Sequence, residues 1–198
     1  WMEYSLHQIH DNPEVKRIAL LFFDSLGTGI RDIKVNIDEG HLNFNDLPPF
    51  LSEEFKMKLM SEKLDRIEAK VVYDCFETDL VNDESLGIKK LLEFVCPMID
   101  IMANGKVLFC DELEANFHES IVQGLVELFR TVKTTLPTQW FFTTHDTSIL
   151  SLSLFRRDQI WFTELTKKDR ATDLYSLSVI KNVRKDENIG NGYISGKY

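Results

Sequence analysis

The sequence predicts an α/β fold, with a mainly parallel sheet, flanking helices and a C-terminal β-hairpin. From about residue 84 onward, helical segments alternate with short apolar strands, and this alternation is typical of a parallel α/β sheet. Two strand-like segments, 160–165 and 173–180, flank a polar turn and predict the hairpin. An apolar share of 43% and a charged share of 28% are typical of a soluble globular protein.

The N-terminal part predicts two helices, one short strand and a loop. Apolar side chains at helical spacing predict a helix from Val15 to about Leu26, and the Gly-Thr-Gly that follows is a helix stop. Alternating residues predict a strand at 33–37, and the Asn, Asp and Pro residues of 40–49 predict a loop. Apolar residues at three- and four-residue spacing in 51–70 predict an amphipathic surface helix.

The remaining elements are predicted from apolar runs and their boundaries. Residues 71–76 form a strand candidate, and a long apolar helix then runs to Gly105, which suits a C-terminal cap. After it we expect a strand at 106–110, a helix at Glu119–Thr131 and a strand at 138–145.

Charge and hydropathy exclude several classes of protein. No apolar run approaches the roughly 18 residues needed to cross a bilayer, and Trp1–Asn12 has no signal-peptide core, so we expect no membrane association and a cytoplasmic location. We expect buried, reduced thiols at Cys75, Cys96 and Cys110. A formal net charge of −9 argues against a general nucleic-acid surface. Two basic groups indicate either solvated loops or a nucleic-acid contact: Arg156–Arg157, and Lys167–Lys168 with Arg170.

Ionisable side chains follow two of the predicted strands. Asp111 and Glu112 come directly after "VLFC", and His145 and Asp146 follow "WFFTT". Function collects at the carboxyl ends of parallel strands, and consecutive strand residues point in opposite directions. One carboxylate could therefore face a Mg²⁺ ion while the other faces a water. The alternative is that Asp111 only begins a turn and caps the next helix.

Four motifs in order resemble the nucleotide-binding domain of ABC-type ATPases, which have the P-loop NTPase fold. They are a Ser-x-Gly signature at Ser85 and Gly87, a strand ending in Asp-Glu, "DELEANFH", and "TTHDTSIL" at 143–150. More narrowly, the chain resembles the OLD/RloA-like group of abortive-infection and phage-defence ATPases, and its "RRDQIWFTE" and "LYSLS" segments are similar to the RloA-like tail. The similarity covers residues 71–198 well, and the first 70 residues only loosely.

The resemblance implies roles for these residues and the cofactors ATP and Mg²⁺. Asp111 would hold Mg²⁺ through its water shell, Glu112 would be the general base, and His145 would contact the γ-phosphate. Ser85 and Gly87 would bind phosphate oxygens of the nucleotide on the opposite subunit of a dimer.

The resemblance places Glu114–His118 in the D-loop, so that Asn116 and His118 would contact the second subunit. Simpler interpretations stay open for three of these residues. Ser85 and His118 could each only start a helix, and His145 could be a core histidine. The remaining histidines have no companions at metal-ligand spacing and are expected at the surface: His7, His10 and His41.

The P-loop motif G-x-x-x-x-G-K-[ST] has no match in the chain. Gly105–Lys106 has Asp100 in place of the first Gly and Val107 in place of Ser or Thr. Gly196–Lys197 has Asn191 and Tyr198 at those positions. The signature is also reduced, because Leu86 stands where longer signatures have Gly.

We therefore interpret the chain as the C-terminal portion of an ABC-type ATPase without its P-loop. We expect a helical or insert region at 1–70 and the ATPase lobe at 71–198. The whole protein would hydrolyse ATP as a homodimer and control an effector such as a nuclease, through which nucleic acid could be contacted. One alternative is a non-catalytic interaction module that retains the fold. Another is a Toprim-type nuclease that uses Asp83–Glu84 with Asp111–Glu112.

Overall fold

A computed structural model describes residues 1–40, 48–61, 64–166, 170–184 and 187–198. These residues form two compact units, Trp1–Asn104 and Gly105–Tyr198. Among the described helices, none is both long enough and apolar enough to cross a bilayer.

The described residues of the first unit form helices and an antiparallel sheet. The elements are α1 (Met2–Asp11), α2 (Pro13–Ser25), β1 (Asp32–Gly40), α3 (Glu53–Ser61), β2 (Leu64–Val72), β3 (Glu77–Asp79) and α4 (Leu86–Asn104). The sheet has the order β1-β2-β3. Helices α1, α2 and α4 pack together and bury apolar side chains such as Leu6, Phe23 and Val95.

The predicted starts and stops of the long helices are explained by their caps. The Asn12 side chain accepts hydrogen bonds from the amides of Glu14 and Val15 at 3.0 and 3.2 Å, and so starts α2. Helix α2 is followed by Gly27 with φ +69°, and α4 by Gly105 with φ +62°. Both glycines occupy the left-handed region that commonly ends a helix, so the predicted helix stops are confirmed.

The prediction of one helix over 51–70 is wrong. Helix α3 ends at Ser61, and Leu64–Val72 is strand β2, which pairs antiparallel with β1 over nine residues. Within β2, Ile67, Ala69 and Val71 alternate toward the core, and the last two are fully buried. Over a short segment the same apolar residues fit both periods, and the hydrogen-bonding edge of β1 selects the strand.

The strand predicted at 71–76 is also wrong beyond its first two residues. Strand β2 ends at Val72, and the chain turns at once, with the Tyr73 amide donating to the Phe76 carbonyl at 2.9 Å. The predicted loop at 40–49 lies mostly outside the described residues, and the described part of the chain shows Gly40 as the end of β1.

The second unit contains a parallel pair of strands and an antiparallel hairpin. The elements are β4 (Val107–Cys110), α5 (Glu119–Thr131), β5 (Gln139–Phe142), β6 (Trp161–Leu165), β7 (Thr172–Ser176) and α6 (Ile189–Ile194). Strand β4 pairs with β5 in parallel, so the expectation of a mainly parallel sheet is met only by this pair within the described residues. The predicted hairpin β6–β7 and helix α5 are confirmed.

The C-terminal hairpin has its own apolar cluster. Ile160, Phe162, Leu177 and Ile189 are buried together, so helix α6 packs with the hairpin. Gly192 in α6 allows close packing, because a Cβ there would lie 2.5 Å from the ring of Tyr198. Strand alternation predicts the hairpin, whereas nothing in the sequence pattern of 189–194 indicated a helix.

The three thiols are free, but they are not all buried. Cys96 is buried and Cys110 half-buried, whereas Cys75 is exposed, so the expectation of burial is wrong for Cys75. Burial raises the pKa of the Cys96 thiol to about 11, and its Sγ lies 3.7 Å from the Ser5 carbonyl oxygen. Cys96 therefore acts as a small apolar core residue.

Candidate functional site

The parallel pairing of β4 and β5 brings the predicted catalytic residues together. Cys110 is paired with Phe142, so the residues that follow each strand leave from the same edge. The Nε2 atom of His145 lies 3.9 Å from Oε1 of Glu112. Both side chains are open to solvent, at 87% and 59% exposure, so this His145 is not a core histidine. His145 and Glu112 therefore converge at the ends of the two strands, while their catalytic roles remain predictions.

Thr143 connects the two strand ends, a function that the sequence interpretation missed. Its hydroxyl accepts from the Glu112 amide at 2.9 Å and donates to the Asp111 carboxylate. Its own amide donates to the Cys110 carbonyl, and its carbonyl accepts from the Leu113 amide, both at 3.0 Å. The sequence did offer one signal for this role, since Thr143 follows directly after an apolar strand. A hydroxyl at that position can both accept and donate a hydrogen bond, and so can link one strand end to the next.

Glu112 has an unusual backbone conformation. Its φ of 47° and ψ of 59° place it in the left-handed region, which a residue with a Cβ adopts at a cost of roughly 1–2 kcal/mol. Hydrogen bonds from its own amide and from the next amide, Leu113, to Thr143 hold this conformation. Such local strain clusters at functional sites, and here it occurs at the predicted general base.

Glu114 is a second residue of the site that the sequence interpretation assigned only to a subunit-contact segment. Its Oε1 accepts from the His145 amide at 2.7 Å. Burial opposes its ionisation, but the Thr144 side chain and the His145 amide stabilise the carboxylate and lower the pKa of Glu114 below its ordinary value. The side chain therefore ties the loop after β5 to the turn after β4.

The predicted signature residues belong to the first unit. Ser85 is exposed at the start of α4, where its Oγ accepts from the Ile88 amide at 3.3 Å and its carbonyl accepts from the Lys89 amide at 3.1 Å. Ser85 thus caps the helix, as the simpler interpretation expected. Gly87 lies in the first turn of α4. Phosphate binding by Ser85 and Gly87 stays a prediction.

The other described histidines have local partners. His118 caps α5, and its Nδ1 accepts from the Ser120 amide at 3.3 Å. His10 is exposed and its ring lies 2.8 Å from the Asp11 carboxylate, whereas His7 is only partly exposed. His41 lies outside the described residues.

The basic residues of the last quarter have different environments. Arg156 is exposed and pairs with Asp158 at 2.8 Å, which fits a solvated loop charge. Arg157 instead donates to the backbone carbonyls of Leu177 and Ile180, so its charge supports the hairpin and the solvated interpretation is wrong for it. Lys167 and Lys168 lie outside the described residues.

Neither Gly-Lys pair is built as a phosphate loop. Gly105 ends α4, and a Cβ there would lie 2.6 Å from the Cβ of Leu136, so close packing explains the glycine. Lys197 pairs with Glu187.

The acidic pair that a Toprim nuclease would use, Asp83–Glu84, is engaged locally, since Glu84 accepts hydrogen bonds from the hydroxyls of Tyr73 and Thr78.

The residues at the strand ends fit Mg²⁺ that arrives with a nucleotide. In the part of the chain that the structure describes, no group of three or more His, Cys, Asp or Glu side chains could hold a metal ion. Asp111 is exposed and one of its oxygens is oriented by Thr143. Because Mg²⁺ often takes only one or two carboxylates and fills its shell with water and phosphate oxygens, this donor set suits it.

Structural comparison places the fold in a known class. The head domain of Smc from Pyrococcus yayanosii matches with a TM-score of 0.50 and 11% identity, over 92% of this chain and 29% of that one. An SMC ATPase structure from work on ATP-driven dimerization and DNA-stimulated activation matches with a TM-score of 0.52 and 11% identity, over 100% of this chain and 99% of that one. No protein-family model matches the sequence, and no curated protein matches it significantly.

The chain therefore has a mixed α/β fold similar to that of these SMC head and ATPase structures. It spans about 29% of the length of the Pyrococcus yayanosii chain.

Proposed function

We propose that this chain forms the C-terminal part of an ABC-type ATPase site, which hydrolyses ATP at the interface of a homodimer. The observation that carries the proposal is the 3.9 Å approach of His145 to Glu112 at the ends of two parallel strands, next to Asp111. The structural likeness to SMC ATPase heads supports it, and one of those structures comes from work on ATP-driven dimerization.

Each residue of this cluster would have one task. The Glu112 carboxylate would accept a proton from the attacking water, because it is exposed and held at the strand end by its own backbone. His145 would donate a hydrogen bond to the terminal phosphate. Asp111 would hold Mg²⁺ through water, and the bound ion would neutralise charge that develops on the phosphate oxygens.

The signature residues would complete the site of a second copy. Ser85 and Gly87 lie at the start of the 19-residue helix α4, where backbone amides and the helix dipole favour anions. The same proposal includes a helical or insert region at 1–70 and an ATPase lobe at 71–198. It also includes membership of the OLD/RloA-like defence group, a cytoplasmic location and control of an effector such as a nuclease.

Because no P-loop is present in this sequence, we expect that the phosphate-cradling segment is supplied from elsewhere. Titration calorimetry of this chain with Mg-ATP should show no binding in the micromolar range, since two carboxylates repel a polyphosphate without that segment. Micromolar binding would contradict this expectation. A longer gene product with G-x-x-x-x-G-K-[ST] upstream favours the enzyme, and one without it favours a non-catalytic interaction module.

The catalytic assignment is tested in a protein that includes the P-loop segment. Glu112→Gln should bind Mg-ATP normally but abolish most hydrolysis, because the amide cannot accept the proton. Asp111→Asn should weaken Mg²⁺-dependent binding. Glu119→Gln is a matched control, since that glutamate is exposed on α5 and contacts Gln123. If Glu112→Gln hydrolysed ATP as fast as the control, Glu112 would not be the base.

A further inference from the structure

We propose that Glu114 is the positioning residue of His145: its carboxylate fixes the backbone after β5 so that the imidazole faces Glu112. The inference rests on the proposed function for its catalytic meaning, although the contact itself does not depend on that function. Neither the motif match nor the fold assigns this role to Glu114.

The hydrogen bond between Glu114 and the His145 amide is short, and it joins the turn after β4 to the loop after β5. Glu114 lies two residues after Glu112, in the short 3₁₀ turn Leu113–Asn116, and its Oε1 accepts from the His145 amide at 2.7 Å. Its other oxygen, Oε2, is buried and has no hydrogen-bond partner among the described residues. A carboxylate that gives up solvent at one oxygen to hold the Thr144 side chain and the His145 amide is costly unless that loop must be fixed.

The His145 ring is not fixed by packing. With 87% of the side chain exposed, no core contact sets its orientation. The following residue is held by a local bond, because the Asp146 amide donates to the Thr144 hydroxyl at 3.0 Å. The position of the imidazole therefore depends on the backbone at residue 145, and Glu114 is the side chain that binds that backbone.

The same contact links the two segments that carry the site. Glu112 and Glu114 belong to the turn after β4, and His145 belongs to the loop after β5. Thr143 fixes the start of the loop against Asp111 and Glu112, and Glu114 fixes it two residues later. Two attachment points are needed to set both the position and the direction of the loop, so Glu114 complements Thr143.

Three substitutions distinguish positioning from a general structural role. Glu114→Ala removes the acceptor, and Glu114→Gln keeps an acceptor oxygen at the same reach. Glu119→Ala removes a nearby exposed carboxylate that accepts a hydrogen bond from Gln123 at 2.9 Å. Hydrogen exchange at the His145 amide is followed by NMR in this chain. We expect exchange to be at least about tenfold faster in Glu114→Ala and close to wild type in the other two variants.

The second readout is turnover in the protein that includes the P-loop segment. Glu114→Ala should lower kcat with little change in KM, because Glu114 orients His145 without touching the nucleotide, and Glu114→Gln should restore most of the rate. If Glu114→Ala does not fold, Glu114→Asp serves in its place, since the shorter side chain withdraws the acceptor but keeps the charge.

The outcomes separate this inference from the proposed function. Unchanged exchange at His145 in both Glu114→Ala and Glu114→Asp would overturn the positioning role, whatever the ATPase activity. Faster exchange in those variants, together with no ATP hydrolysis by the wild-type protein, would support Glu114 as the anchor of the loop and would overturn the ATPase proposal instead. Faster exchange with an unchanged kcat would refute the catalytic meaning of the anchor.

Discussion

Replacing Thr143 with Val tests whether a single hydroxyl holds the two strand ends together. The substitution keeps the shape and the β-branching of the side chain but removes its oxygen. Two hydrogen bonds are lost, one from the Glu112 amide at 2.9 Å and one to the Asp111 carboxylate. The backbone bonds of residue 143 to Cys110 and Leu113 stay in place, so the strand pairing itself should persist.

The magnitude follows from the exposure of the partners. A net hydrogen bond contributes about 0.5–1.5 kcal/mol, and one to a charged group contributes more. Both partners here are exposed and can bind water instead, so we expect the variant to lose about 1–2 kcal/mol of unfolding free energy in total. Part of this loss comes from Glu112, whose left-handed backbone would no longer be held by its own amide.

The assay is urea unfolding of wild type, Thr143→Val, Thr143→Ser and Thr163→Val. Serine keeps the hydroxyl and should retain most of the stability. Thr163 is exposed on β6 and controls for the change from Thr to Val itself. Amide shifts should change at Glu112 in Thr143→Val alone. If Thr143→Val were as stable as Thr163→Val, with an unchanged Glu112 amide, the hydroxyl would not be the link between the strand ends.

Three further outcomes are expected. Gly190→Ala should destabilise the second unit by about 1–3 kcal/mol in chemical unfolding, because a Cβ there would lie 2.6 Å from the Thr147 carbonyl oxygen; a variant as stable as wild type would contradict this close approach. Leu125→Ala should cost about 2–5 kcal/mol, since Leu125 is 1% exposed in the core; a loss below 1 kcal/mol would mean that α5 packs loosely there. Burial, followed by the hydrogen bond to Glu84, raises the pKa of Tyr73 to about 12. The folded state then holds this proton more tightly than the unfolded state, so its contribution to stability is complete below about pH 10 and is lost as pH rises through about 12. Tyr73→Phe should lack this part of the alkaline loss, and an alkaline transition identical to wild type would refute the assignment.

Local sequence signals located the elements whose periodicity and boundaries agree. Helix α5 was predicted with the observed limits, because its apolar residues recur at helical spacing. The long helix α4 was predicted with its glycine stop. In contrast, 64–72 was assigned to a helix, because local spacing alone did not reveal the strand β1 to which it pairs.

The residues of the candidate site also fall into two groups: those that the sequence revealed and those whose roles only the structure showed. Its charged members could be found from the sequence, because Asp111, Glu112 and His145 each follow an apolar strand. Thr143 and Glu114 could not be assigned their parts. Their partners are 31 to 32 residues away along the chain, and the contacts form only when the ends of β4 and β5 meet.

The sequence by itself determined where α2 and α4 stop, where α5 starts and stops, which strand ends carry ionisable groups, and that both Gly-Lys pairs fail the P-loop pattern. These properties depend on neighbouring residues, so local propensity and spacing are enough to set them. Only the tertiary structure decided that β2 is a strand, that parallel pairing is limited to β4–β5 in the described residues, and that Thr143 and Glu114 hold Glu112 and His145 face to face. Those outcomes depend on hydrogen-bonding partners that are remote in sequence, and such partners are chosen by the packing of the whole unit.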